Sequence, residues 1–178
     1  MSKLLVRMSA VATLGLAPVL TPAAVQAAIL GPHANECAAG SDRPAMLVRI
    51  LGLKSRTGNV RVQSYGGDPA RFFAKGSYLE RVDVRTPAEG PVEICMIVPR
   101  PGTYAVSVRH DLNGSGSSDL SDGGGFSGNP SVSLMDVAFK RRPSPERVEI
   151  KVAGVTRVPI VLNYVQGMTV KPIASAER

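Results

Sequence analysis

The sequence predicts an all-β protein, a single antiparallel β-sandwich, and three observations carry that prediction. Short runs rich in Val, Ile and Leu recur roughly every ten residues, a spacing typical of sandwich strands. Gly, Pro, Asp and Asn separate these runs, and those residues supply the backbone conformations that tight turns need. After the N-terminal segment no long amphipathic helical pattern appears, and neither an internal repeat nor a second domain is visible.

The chain begins differently from the rest. Lys3 and Arg7 precede an apolar run over 10–20, broken by Pro18, and Val25-Gln26-Ala27 follows. This is the anatomy of a secretory signal peptide cleaved after Ala27. The apolar run is shorter than the roughly 20 residues that span a bilayer, so the mature chain is not expected to cross a membrane. Residues 28–45 then read as an irregular N-terminal arm, 46–165 as the sandwich domain and 166–178 as a frayed tail.

Within the domain, 46–53 is nearly all apolar and reads as a central strand. Residues 59–65 alternate, with Val60 and Val62 opposed to Arg61 and Gln63. A helical turn is expected within 70–76, and 78–85 is another strand with Val82 and Val84 inward. In 91–98, Val92, Ile94, Met96 and Val98 share one face and leave Cys95 on the other with Glu93 and Ile97. Residues 102–110 alternate cleanly, and 132–140 reads as a strand. The runs 147–152 and 157–164 read as a late hairpin around Ala153-Gly154.

Two cysteines in an exported chain predict one structural disulfide, Cys37–Cys95, pinning the arm across the outside of a sheet. A redox-active pair would need close Cys-x-x-Cys spacing, which is absent. Without Lys3 and Arg7 the formal charge of +7 falls to +5, as residues 1–27 hold no Asp or Glu. A basic exported protein favours anionic surfaces and envelope glycans as partners, though the same charge also serves solubility. Nucleic acid is excluded by export and by the lack of aromatic residues interleaved with basic ones. The densest basic patch is Lys140, Arg141, Arg142 and Arg147, around Pro143 and Pro145.

The loop after 102–110 carries the one candidate ion site. Asp111, Asn113, Ser115, Asp119 and Asp122 fall at positions 1, 3, 5, 9 and 12 of a calcium-type loop, with Gly116 at the turn. Three carboxylates and a neutral Ser predict a weak site. The same residues also suit a connection in which Asp and Asn cap turns through their own backbone. Calcium is the only cofactor indicated. Gly123-Gly124-Gly125 is not a phosphate loop, since no helix and no Lys-Ser/Thr follow. His110 beside Asp111 raises a general base, but His33 is the only other histidine and no nucleophile motif accompanies them.

The run Gly102-Thr103-Tyr104-Ala105-Val106-Ser107-Val108-Arg109-His110-Asp111-Leu112-Asn113-Gly114, with Gly125-Phe126-Ser127 downstream, resembles the bacterial domain of unknown function 2141 family. The resemblance covers about 46–164 and implies an exported sandwich of the immunoglobulin-like or prealbumin-like kind. Ser115 stands where that pattern has Asn or Asp, and the segment from Asp119 to Phe126 is shorter than usual. The Pro-Gly-x-Tyr turn at 101–104 also resembles prealbumin-like regulatory domains, which implies a sandwich and no activity. The expectation is an exported, non-catalytic binding or structural domain, periplasmic or secreted. The alternative is a hydrolase-like periplasmic enzyme using His110 and Asp111.

Overall fold

The computed structural model describes residues 28–173. The expected signal segment 1–27 and the last residues of the expected tail, 174–178, lie outside them. Eleven strands are described, in chain order β1 (Ile29–Leu30), β2 (Ala45–Leu51), β3 (Asn59–Gly66), β4 (Glu80–Arg85), β5 (Val92–Ile97), β6 (Gly102–Asp111), β7 (Gly123–Phe126), β8 (Ile150–Val152), β9 (Val155–Val161), β10 (Asn163–Gln166) and β11 (Thr169–Pro172). They form two sheets. The small one runs β1-β5-β2-β9, and the large one runs β11-β10-β7-β6-β3-β4 with β8 also paired to β6. Pairing is antiparallel except for β1 with β5 and β2 with β9.

The alternation read from the sequence sets which face each strand buries. Val60 and Val62 of β3 and Val106 and Val108 of β6 point into the space between the sheets. Met46, Val48 and Ile50 of β2, Ile94 and Met96 of β5, and Ile160 of β9 meet them there. Each fully buried aliphatic side chain of this kind contributes about 1.5–3 kcal/mol relative to exposure.

Three expectations are corrected. Residues 132–140 do not form a strand; they contain a short helix, α1 (Leu134–Ala138). Ser133 caps it, accepting from the Asp136 amide, while the Asp136 carboxylate accepts from the Ser133 amide at 2.9 Å. That reciprocal box fixes a helical start and overrides the β preference of the neighbouring apolar residues.

The hairpin around Ala153-Gly154 is also absent. β8 pairs with β6 at Gly102–Tyr104, whereas β9 crosses to the small sheet and lies parallel to β2. Val152 and Val158, Ile160 and Leu162 do share one core, but from opposite sheets. The start of the expected tail is ordered too, since β10 and β11 pair in register from Asn163↔Pro172 to Gln166↔Thr169.

β7 and β8 lie along the same edge of β6, and Ser127 sits between them. Its amide donates to the Val106 carbonyl at 2.9 Å, and its Oγ accepts from the Val106 amide at 2.9 Å. The same hydroxyl donates to the Val148 carbonyl. One buried serine therefore continues the ladder where neither strand reaches.

The Cys37–Cys95 disulfide is present, with S–S 2.00 Å and Cα–Cα 5.7 Å. It lies on the outer face of the small sheet against Ala45 and Leu47, with Ile29 and Val155 packed alongside. The arm is thus held outside the main core, as the parity of Cys95 requires. His33 adds a second tie, its Nε2 being 2.8 Å from Glu80 Oε1 at the edge of the large sheet. A closed loop of 58 residues predicts that reduction lowers unfolding free energy by about 4 kcal/mol in the chain-entropy model. Urea denaturation with and without reductant measures it. A difference below about 1 kcal/mol would show that the arm contributes little to the fold.

Candidate functional site

β6 divides the candidate residues between its two faces. His110 points inward and is fully buried. Its Nε2 is 2.9 Å from the Thr57 carbonyl oxygen, which can only accept, so Nε2 carries the proton and donates. Nδ1 then accepts from the Tyr164 hydroxyl at 2.6 Å. Tyr164 Oη in turn accepts from the Lys54 amide at 3.1 Å. Burial pushes the Tyr164 phenol up to about 12, the Lys54 amide opposing and the Asp122 charge adding to that rise. This inward chain ties β6, β10 and the segment before β3 together.

Asp111 is the next residue and points to the opposite face. Its Oδ1 accepts from the Ser115 amide at 3.0 Å and its Oδ2 from the Gly116 amide at 2.8 Å. The structure therefore does not bring His110 and Asp111 together as an acid–base pair.

The rest of the loop is laced by its own amides. Asn113 Oδ1 also accepts from the Ser115 amide, and its Nδ2 donates to Asp119 Oδ2 at 2.9 Å. Asp119 Oδ1 accepts from both the amide and hydroxyl of Ser121, and these bonds with that from Asn113 hold its carboxyl below the usual range. Asp122 accepts from the Leu112 and Asp119 amides. Burial raises its carboxyl, those two bonds opposing and the Asp119 and Asp111 charges adding to the rise. Ser115 Oγ donates to the Ser117 carbonyl at 3.0 Å. No group of three or more His, Cys, Asp or Glu among the described residues is arranged to hold a metal.

The outer face of the large sheet carries a groove of about 460 Å³. One cross-strand row forms its floor, because the register aligns Arg61 with Arg109, Arg109 with Gly124, and Gly124 with Asn163. Arg61 Nε donates to Asp83 Oδ1 at 2.6 Å, and Arg81 Nε donates to the other oxygen at 2.7 Å. Burial raises the Asp83 carboxyl, but these two guanidinium bonds outweigh it and hold the group low. Arg109 donates to Ser118 Oγ at 2.9 Å and to the Gly116 carbonyl at 3.1 Å, and its Nη2 is 3.4 Å from Asp111 Oδ2. Four residues further along β3, about 13 Å away, Tyr65 packs edge-on to Phe73 at 4.9 Å between centroids, and Phe73 meets Phe126 at 4.8 Å. The groove thus has an aromatic end and a loop end.

Lys140, Arg141 and Arg142 of the expected basic patch line this groove; Arg147 does not, and its Nη2 reaches Ser131 O at 3.4 Å. The three are placed by the exit of α1. The Arg141 amide donates to Asp136 O at 2.8 Å and the Lys140 amide to Val137 O at 3.2 Å, the Schellman pattern. Lys140 occupies its left-handed position, φ 51°, where glycine is usual and a side chain costs about 1–2 kcal/mol.

Glycines 123–125, which read as a loop, are β7. A Cβ on Gly123 would strike the Tyr164 ring, and one on Gly125 would come 2.6 Å from Ile160 Cγ2. Both glycines face inward and allow close packing. Gly124 faces the groove, and a Cβ there would meet nothing within 4 Å. The sequence hid this floor because glycines carry no alternation to read.

Tyr164 gives the inward network a measurable pH signature. The folded phenol ionises at about 12 against an ordinary 10, so the native state holds the proton more tightly than the unfolded chain. Its contribution to stability is complete below about pH 10 and declines as pH rises towards 12. Urea midpoints across that range should fall more steeply in wild type than in Tyr164→Phe. Equal slopes would show that the phenol does not ionise late.

No curated protein and no solved structure matches the chain. The model of a family described as an uncharacterized protein conserved in bacteria, DUF2141, matches residues 48–158, from β2 into β9. That match covers more than half of the sequence and spans β6, the loop after it, the glycine strand and the helix that walls the groove. The chain belongs to this DUF2141 family.

Proposed function

We propose that the chain is exported and acts in the bacterial envelope or outside the cell as a non-catalytic binding domain, with the groove on the large sheet as its binding surface. The observation that carries this reading is the division of β6. The inward side chains are committed to the core, His110 among them, while the outward row opens into a preformed groove of small-molecule dimensions. Export rests on the signal-like segment before Ala28 and is consistent with the disulfide. No helix among the described residues is long and apolar enough to cross a membrane.

In this reading the 111–122 loop is the rim of the groove, held by its own amides, and calcium is not required for binding. Millimolar calcium is expected to leave the Tm of the oxidised protein, chain 28–178, unchanged. A saturable rise in Tm, abolished by Asp111→Asn, would instead assign the loop to an ion through linkage.

The groove is tested by thermal shift with fractions of envelope material, using wild type and Gly124→Leu. Wild type is expected to gain stability with at least one fraction, and the filled groove is not. Equal responses of the two proteins, or none in either, would place binding elsewhere and overturn the proposal.

A further inference from the structure

We infer that the groove binds an acidic saccharide, a sugar unit carrying a carboxylate; this rests on the groove being the binding surface and names its ligand class. The first observation is charge. Five cationic side chains line the groove against three carboxylates. At its centre Arg61 and Arg109 stand directly opposite each other on adjacent strands, a like-charge pair that Asp83 and Asp111 relieve from within the protein. Lys140, Arg141 and Arg142 on the wall are in no ion pair among the described residues, and theirs are the charges left for a ligand. The Arg109 guanidinium is fixed in place by the loop, and its Nε is buried without a partner among the described residues. Its other two nitrogens already donate to Ser118, Gly116 and Asp111, so Arg109 offers a carboxylate this one donor and no free bidentate fork.

The second observation is the cost accepted at Lys140. A lysine in the left-handed position of the α1 cap gives up stability that glycine would restore. It leads three consecutive cations along the groove wall. Strained positions of this kind cluster where binding demands them. Phe73, φ 59°, is another, and it forms part of the aromatic end.

The third observation decides the class of anion. The carboxylates of Asp119, Asp122 and Asp136 also line the groove, and Asn163 closes the row across the floor. These would repel a bare anion, but they are acceptors for hydroxyl groups. The half-buried Phe73 and Phe126 offer apolar surface to the C–H face of a ring, with Tyr65 buried behind them. Gly124 leaves the floor open beneath it. A neutral sugar would leave the wall cations unused, and a simple polyanion would face these carboxylates with no hydroxyl to donate to their remaining lone pairs. A ligand that is both anion and polyol matches both sets.

Isothermal titration calorimetry on the oxidised protein (28–178) tests the assignment with trigalacturonate, neutral galactotriose and citrate. Trigalacturonate should bind at least tenfold more tightly than either control, and its affinity should fall with added salt. Gly124→Leu should abolish the binding. Lys140→Gly should weaken it several-fold while raising Tm by roughly 2–4 °C, a pairing that general loss of structure cannot produce. Citrate binding as tightly as trigalacturonate would reduce the site to a plain anion site and overturn the saccharide assignment. Equal binding of galactotriose would overturn the role of the cations. If trigalacturonate fails while an envelope fraction still shows Gly124-dependent stabilisation, the ligand class is wrong and the groove stands. If both fail, both fall.

Discussion

The two-sided alternation of β6 is the constraint on which the rest of the structure depends. Because consecutive strand residues point to opposite faces, Tyr104, Val106, Val108 and His110 must enter the core once Ser107 and Arg109 face outward. Both edges of β6 are occupied, β3 along one and β7 with β8 along the other, so its register is fixed from either side. A slip of one residue would bury Arg109 and expose His110, and the cost of an unpaired buried guanidinium forbids it.

From this register follow both the inward network and the outward row. Inward, His110 is held by Thr57 and Tyr164, and Gly123 is bare so that the Tyr164 ring can pack against β7. Outward, the same pairing sets Arg61, Arg109, Gly124 and Asn163 side by side. The glycine run therefore has two separate causes. Gly123 and Gly125 answer to packing, and Gly124 leaves space where the core makes no demand.

Legibility in the sequence followed local pattern and stopped where pairing is non-local. The faces of β3, β5 and β6 could be read because aliphatic and polar residues alternate there. The disulfide could be read because two cysteines leave one pairing, and the parity of Cys95 placed it outside the main core. The β8–β9 reading failed because inward alternation is the same whether two strands share a sheet or face each other across a core. The strand expected over 132–140 failed because a capping box at Ser133 and Asp136 starts a helix whatever the β preference of the apolar residues around it. The groove was out of reach, since nothing in a linear chain announces that Arg61 and Arg109 will stand opposite each other.

An ion loop, a catalytic pair and a binding groove all draw on residues within or beside β6, and the strand's geometry separates them. The most direct measurement is an amide and side-chain NMR titration of the ¹⁵N-labelled oxidised protein with trigalacturonate. Perturbations centred on Gly124, Ser107 and the Arg109 side chain, with the His110 ring retaining its Nε2–H signal unmoved, are the predicted result. A response centred on His110, or none at Gly124, would contradict the division of β6 into a structural face and a binding face.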